Sequence, residues 1–199
     1  MASPLTKRVL AEALPGGEGA ALRAKQVLLV AFGVAALAVA AKIKVPFWPV
    51  PITMQTFVVL TIGAAYGLRL SVGTVLAYLA VGALGFDVFT SSSAESHGIA
   101  YMLGGTGGYL LGFVLAAGLL GALARAGWDR SVGRMALALV LGNLAIYVPG
   151  LLWLGQLYGW DKPILDWGLY PFLAGDALKL ALAALLIPAA WRMVGDARR

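Results

Sequence analysis

The chain has 199 residues, of which 61% are hydrophobic and 12% charged, and a formal net charge of +6. A soluble domain is nearer half apolar and a quarter charged, and one this small lacks the interior to bury so much apolar surface. Lipid is the solvent that fits. Cysteine is absent, which excludes disulfides, thiol nucleophiles, iron–sulfur clusters and thiolate zinc sites; the single histidine, His97, excludes multi-histidine metal sites. The basic residues are scattered between apolar runs, so the positive charge reads as membrane topology and not as nucleic-acid binding.

Residues 1–24 read as a polar, poorly ordered cytoplasmic tail, with a short amphipathic helix within it as the alternative. Lys7 and Arg8 are not followed by an apolar run, because residues 10–19 hold two glutamates, a proline and three glycines. No signal peptide is expected there. The first span is predicted over residues 26–41. It ends at Lys42 and Lys44, and Pro46, Pro49 and Pro51 mark an irregular loop. The second span covers 52–68 and the third 70–86, with Arg69 between them. A polar stretch follows over 87–105, with four serines, Glu95 and a solvated His97. The fourth span is predicted over 106–124. Arg125, Asp129, Arg130 and Arg134 form the next loop, and the fifth span covers 135–154. An aromatic, polar loop then carries Tyr158, Trp160, Asp161, Lys162, Asp166 and Trp167. The sixth span covers 175–193. No run alternates as a strand would, so a barrel is not expected. The fold class is therefore an all-α integral membrane protein with six transmembrane helices. Its divisions are a tail over 1–24, a membrane domain over 25–194 and a C-terminal tail over 195–199.

Orientation follows from Lys and Arg in alternate loops. One side carries Lys7, Arg8, Arg23, Lys25, Arg69, Arg125, Arg130, Arg134, Arg192, Arg198 and Arg199; the other carries Lys42, Lys44 and Lys162. Eleven against three places both termini in the cytoplasm. Trp48, Trp160 and Trp167 then lie near the outer interface. The outer loops hold the prolines, the serines and most aromatics, so function is expected to face outward.

An ionisable group within a span is a functional candidate by default. Asp176 and Lys179 qualify clearly. They sit three apart, on one helical face, at the outer end of the sixth span. Two readings stand: a structural ion pair, with Asp176 capping its helix, or a ligand anchor facing a cavity. A carboxylate accepts hydrogen bonds and an ammonium donates them, so the pair suits a ligand with both N–H and C=O groups, or one bearing a carboxylate. Gly104, Gly105, Gly107 and Gly108 open the fourth span beside Thr106 and Tyr109. They allow close approach of a ligand, or of a neighbouring helix through Gly104, Gly108 and Gly112. No Lys-Ser or Lys-Thr follows, so this is not a Walker loop. Asn143 and Gln55 are amides in apolar segments and bond either another helix or a ligand. Ala31, Ala35, Ala36 and Ala40 give the first span a stripe of small residues for close helix packing, within the subunit or with a partner.

Several segments together resemble the BioY family, the biotin-specific substrate-binding (S) components of energy-coupling factor (ECF) transporters. They are Val50-Pro51-Ile52-Thr53-Met54-Gln55-Thr56, Val88-Phe89, the run from Met102 to Phe113 with Gly104-Gly105-Thr106-Gly107-Gly108-Tyr109 at its centre, and the run from Tyr170 to Lys179. The resemblance covers roughly residues 26–194. It departs at Gly105, where the family usually has proline, and in the loop over 90–97. The resemblance implies an S-component-like bundle of six helices that captures biotin from outside, with biotin as transported substrate and no cofactor or catalytic residue. It implies a transmembrane coupling subunit and ATP-binding subunits as partners. The alanine-rich first helix of the family is its contact with the coupling subunit, which maps to Ala31, Ala35, Ala36 and Ala40. The Asp and Lys of the last helix map to Asp176 and Lys179 as biotin-binding residues. Gln55, Thr106, Gly107, Tyr109 and Asn143 join them as candidates, because the ends of different spans can line one outward cavity; Phe89 and Trp48 are candidate covers for the ligand's rings. An S component for another vitamin, a membrane-embedded enzyme and a purely structural subunit remain as alternatives, and self-association stays open.

Overall fold

The computed structural model describes residues 8–13, 18–90 and 97–196, with side chains to residue 194. Lys7, Glu95, Arg198, Arg199 and the four serines of that loop lie outside the described residues. A short α1 (Leu10–Ala13) precedes α2 (Ala20–Lys42), and two two-residue strands, β1 (Lys44–Val45) and β2 (Ile52–Thr53), pair antiparallel. Then come α3 (Gln55–Tyr66), α4 (Leu68–Ala83), α5 (Gly98–Met102) and α6 (Gly107–Arg125). A 3-10 turn (Trp128–Arg130) leads into α7 (Val132–Tyr158), α8 (Ile164–Gly168) and α9 (Tyr170–Asp196).

Among the described residues four helical stretches are long and apolar enough to cross a membrane: Ala20–Lys42, Gly107–Arg125, Val132–Tyr158 and Ile164–Val194. The expected second and third spans are the apolar helices α3 and α4, of 12 and 16 residues. Both are shorter than the roughly 20 residues that a straight crossing needs. Large apolar side chains point outward: Phe32 is 70% exposed, Leu84 78%, Leu178 74% and Met193 73%. In water such a surface would aggregate; in a bilayer it is the solvated face.

Three helices run past the predicted ends, each for a local reason. α2 starts at Ala20, because Arg23 and Lys25 are good helix formers although they fall outside the apolar window. α7 continues through Gln156 to Tyr158. α9 starts at Tyr170, with Pro171 in its first turn, where the missing N–H costs nothing.

α6 is the central helix, and glycine is why its neighbours come close. A Cβ on Gly108 would lie 2.3 Å from the Pro149 carbonyl oxygen, and one on Gly112 2.6 Å from the Ile146 Cα, both on α7. A Cβ on Gly121 would lie 2.4 Å from the Leu68 nitrogen of α4. Gly108 and Gly112 therefore serve helix packing. Pro149 has no N–H for the Ala145 carbonyl, and that carbonyl turns to Gly112. On the other side, the Ser71 hydroxyl donates to the Ala117 carbonyl at 3.0 Å.

α3 and α4 fold back on one another at Gly67, and the Gln55 amide at the start of α3 reaches the Tyr78 hydroxyl of α4 at 2.7 Å. Gly67 has φ 76° and ψ 170°, a conformation open to glycine alone. Residues read as tail cover this turn. Val9 is fully buried, and its methyls lie 3.1 and 3.2 Å from where a Gly67 Cβ would sit. Glu12 pairs with Arg125, and the Arg130 guanidinium donates to the Arg8 carbonyl at 2.8 Å. Asp129, which reads as a loop charge, is fully buried. It accepts hydrogen bonds from the Trp191 indole and from Arg130, whose guanidinium lies 3.4 Å from the Trp191 ring centroid. Burial pushes the Asp129 carboxyl above its ordinary range, against the pull of Trp191 and Arg130.

Two glycines of this hairpin should respond in opposite ways to alanine. Gly67→Ala should destabilise the protein by about 1–3 kcal/mol. Gly73→Ala, where an added Cβ meets nothing within 4 Å, should stabilise it by about 0.5–1 kcal/mol. Thermal melting of both variants in detergent checks this, and a Gly67→Ala protein as stable as wild type contradicts it.

Candidate binding site

The starts of α3, α6 and α9 and the second half of α7 surround one cleft. It is lined by Val50, Pro51, Thr53, Gln55, Thr56, Phe89, Thr90, Tyr101, Thr106, Tyr109, Leu110, Phe113, Ile146, Tyr147, Phe172 and Lys179, and encloses about 540 Å³ counted to its open mouth. Its mostly apolar walls with a few convergent polar groups suit a small organic ligand.

The base of the cleft is built around Asp176, which is 2% exposed. Its carboxylate accepts four hydrogen bonds from side chains. Thr56 Oγ1 at 3.1 Å and Lys179 Nζ at 2.9 Å reach Oδ1; Asn143 Nδ2 at 3.1 Å and the Tyr147 hydroxyl reach Oδ2. Four is about what a carboxylate's lone pairs accommodate. Lys179 also donates to the Thr53 carbonyl at 2.6 Å and to Thr56 Oγ1 at 3.1 Å, so its three protons have three acceptors. The pair is thus both readings at once: it joins α3, α7 and α9, and its ammonium faces the cleft. Among the described residues, two buried polar atoms, Thr106 Oγ1 and Asn143 Oδ1, have no hydrogen-bond partner.

Aromatic rings form the walls. Tyr109 and Phe172 stack with centroids 6.5 Å apart, and Tyr147 meets both edge-on at 6.4 Å. Opposite them, Phe89 stacks on Tyr101 at 4.8 Å. Phe89 is held there because Gly82 leaves room for its ring. The backbone beside it is pinned by Lys42, which donates to the Phe89 carbonyl at 2.8 Å, and by Tyr78, which donates to the Val88 carbonyl at 2.9 Å. The β1–β2 loop closes over the top. Trp48 packs edge-on against Trp167 at 4.9 Å and Tyr158 at 5.7 Å, and its bond to Pro49 is cis.

The candidates from sequence take different places. Lys179, Gln55, Thr106 and Tyr109 line the cleft, and Asp176 and Asn143 lie directly behind it. Gln55 bonds Tyr78 and Thr90, and Tyr109 donates to the Gly168 carbonyl at 2.8 Å, so both also brace the walls. Gly107 packs under Trp153, 3.0 Å from where its Cβ would sit, and is not among the lining residues. Phe89 lines the cleft, whereas Trp48 is 63% exposed in the loop above. Thr56, Tyr147 and Phe172 were not singled out as site residues. Tyr147 was detectable, because it stands four residues after Asn143 on the same helical face. Thr56 was not, since only its neighbours identify it.

A bundle of apolar helices with a polar-based, aromatic-walled cleft at one end is a membrane-embedded substrate-binding protein. The chain matches the BioY family model over residues 12–196 and belongs to that family. It is 38% identical over 165 residues to the probable biotin transporter BioY of Pyrococcus horikoshii, covering 83% of this chain and 95% of that one. It is 31% identical over 166 residues to the biotin transporter BioY of Thermotoga maritima, covering 81% and 93%. Its fold is similar to the crystal structure of the S-component for biotin from an ECF-type ABC transporter, with a TM-score of 0.74 and 24% identity over 88% of this chain and 95% of that one.

Proposed function

We propose that this chain captures biotin in the cleft above Asp176 and Lys179 and delivers it across the membrane as the S component of an ECF-type transporter. The carrying observation is the donor–acceptor base of the cleft in a chain of this family. Biotin offers two ureido N–H donors, a ureido oxygen, an apolar ring and chain, and a carboxylate. Asn143 Oδ1 is the acceptor left open at the base and Thr106 Oγ1 the open hydroxyl. Lys179 donates in exchange for its bond to the Thr53 carbonyl, Asp176 holds Lys179 and Asn143 in place, and Tyr109, Phe89 and Phe172 are the apolar walls. Gln55 shapes the wall through Tyr78 and Thr90. Gly107 serves by letting α6 start beneath Trp153.

Titration of the purified protein should show tight binding of biotin and none of thiamin or riboflavin. Asp176→Asn and Lys179→Met should each lose about 1.5–3 kcal/mol, or roughly 10- to 150-fold in affinity. Breaking a buried pair also costs about 3–5 kcal/mol of stability, so melting is followed on the same samples. Thr106→Val leaves the pair intact and should weaken biotin by roughly 2- to 13-fold without lowering the melting temperature. Wild-type affinity in all three variants would reject this site.

The coupling subunit is assigned to the outer face of α2. Ala31 and Ala35 are exposed there beside Phe32, Ala36 is half-buried, and Ala40 packs inward at 3% exposure. Only the first half of the alanine stripe is therefore free for a partner, with the ATP-binding subunits beyond it. Ala31→Trp with Ala35→Trp should abolish co-purification of the coupling subunit and spare biotin binding; normal assembly of that variant would refute the assignment.

Both termini are assigned to the cytoplasmic side of the inner membrane. Arg8, Lys25, Arg69, Arg125 and Arg130 gather at the end of the bundle away from the cleft, whereas Lys42, Lys44 and Lys162 lie at the cleft end, as the basic bias requires. A reporter fused after Arg199 should be active only in the cytoplasm, and activity only outside would reverse the orientation.

A further inference from the structure

The turn that opens α6 is soft by composition. Gly104, Gly105, Gly107 and Gly108 surround Thr106, and glycine has the most backbone freedom to lose. A threonine at the start of a helix ordinarily turns its hydroxyl back to an N–H of the first turn. Thr106 makes no such bond. Its buried Oγ1 stays open, and the residue lines the cleft. A flexible segment thus carries an oxygen whose position matters to a ligand.

Trp153, on α7, ties this turn down from outside. Its indole Nε1 donates to the Gly104 carbonyl at 2.8 Å. The same carbonyl accepts the Gly107 N–H at 3.0 Å, so one oxygen joins both ends of the turn to α7. The ring lies over the glycines: a Cβ on Gly107 would fall 3.0 Å from Nε1, and one on Gly108 would collide with the Trp153 Cβ. Trp153 is half-buried and is not among the lining residues of the cleft. The Gly107 N–H already satisfies the Gly104 carbonyl, so the indole bond adds a constraint where no partner was missing. We propose that Trp153 is a positioning residue for ligand capture: its indole N–H fixes the Gly104–Gly107 turn and so sets where the Thr106 hydroxyl meets the ligand. This role rests on the cleft being the biotin site. The competing role is packing between α6 and α7 alone, which would act on stability and not through Thr106.

Trp153→Phe keeps an aromatic ring over Gly107 and Gly108 and removes the N–H. Biotin titration and thermal melting are run in detergent on the purified full-length chain, on Trp153→Phe, on Thr106→Val and on the double variant. Trp153→Phe should weaken biotin by roughly 2- to 13-fold, as the loss of one neutral hydrogen bond does. Adding it to Thr106→Val should cost nothing further, because the hydroxyl it places is gone. Independent roles would instead multiply, to roughly 4- to 170-fold. This comparison is read on folded protein, so it holds even where Trp153→Phe lowers the melting temperature. Amide exchange over residues 103–108 of the ligand-free protein should quicken in Trp153→Phe and stay near wild type in Thr106→Val, whose hydroxyl bonds nothing there. Multiplied losses, wild-type biotin affinity in either single variant, or unchanged exchange in Trp153→Phe would each overturn the proposal. A lower melting temperature with unchanged affinity would mark packing alone. Failure of the biotin site itself shows differently, since the wild-type chain would then not bind biotin.

Discussion

The carboxylate of Asp176 is the point on which the cleft half of the molecule depends. A charge buried among apolar helices is tolerated only when it is paired and fully hydrogen-bonded. Here the partners come from three helices: Thr56 on α3, Asn143 and Tyr147 on α7, and Lys179 on α9 itself. Satisfying one carboxylate therefore fixes the relative positions of three helices at the level where the cleft opens. The same requirement that secures the bundle prepares the binding surface, because the donors that satisfy Asp176 also present their other faces to the cleft. Lys179 and Tyr147 line it directly.

The half away from the cleft uses a different device. There the helices meet through glycine on α6, and the close approach of backbones does the joining that the charge network does above. Gly121 lets α6 touch the α3–α4 turn, Gly67 makes that turn, and Val9 covers it. Asp129 repeats the theme of the cleft half on a small scale, as a buried carboxylate satisfied by Trp191 and Arg130 from different elements. The N-terminal segment is thus part of the packing, and its Arg8 and Glu12 are spent on Arg130 and Arg125.

Much of this was legible in the sequence, and the physical reason differs by residue. Apolar runs broken by charge located the helices, since lipid leaves few other choices. Helix ends were less legible, because a helix continues past the bilayer wherever local propensity allows, as Arg23, Gln156 and Pro171 do here. Asp176 and Lys179 stood out because charge within a span is rare. The glycine run of residues 104–112 was ambiguous between ligand and helix. Gly108 and Gly112 pack on α7, a distinction that depends on what lies opposite and not on the run itself. Asp129 was hidden for the converse reason: a carboxylate between two helices next to an arginine looks solvated. Only Trp191, 62 residues away, shows that it is not. Residues 8–13 allowed at most a short amphipathic helix, and docking onto the Gly67 turn could not be read from it.

The cleft and its covering loop are one mechanical unit. Lys179 Nζ, at the base, donates to the Thr53 carbonyl, and Thr53 is the last residue of β2. β2 pairs with β1, where Lys44 donates to the Thr90 carbonyl, and Thr90 in turn donates to Gln55 at the start of α3. The loop between the strands carries Val50 and Pro51 into the cleft and Trp48 onto Tyr158 and Trp167. A group that enters the cleft and takes a hydrogen bond from Lys179 competes with the Thr53 carbonyl, and so acts on the loop that covers it. The base of the cleft and the loop at its mouth are thereby linked through a single ammonium. That linkage gives Lys179 a use beyond neutralising Asp176. An apolar residue in its place would remove the competition along with the charge.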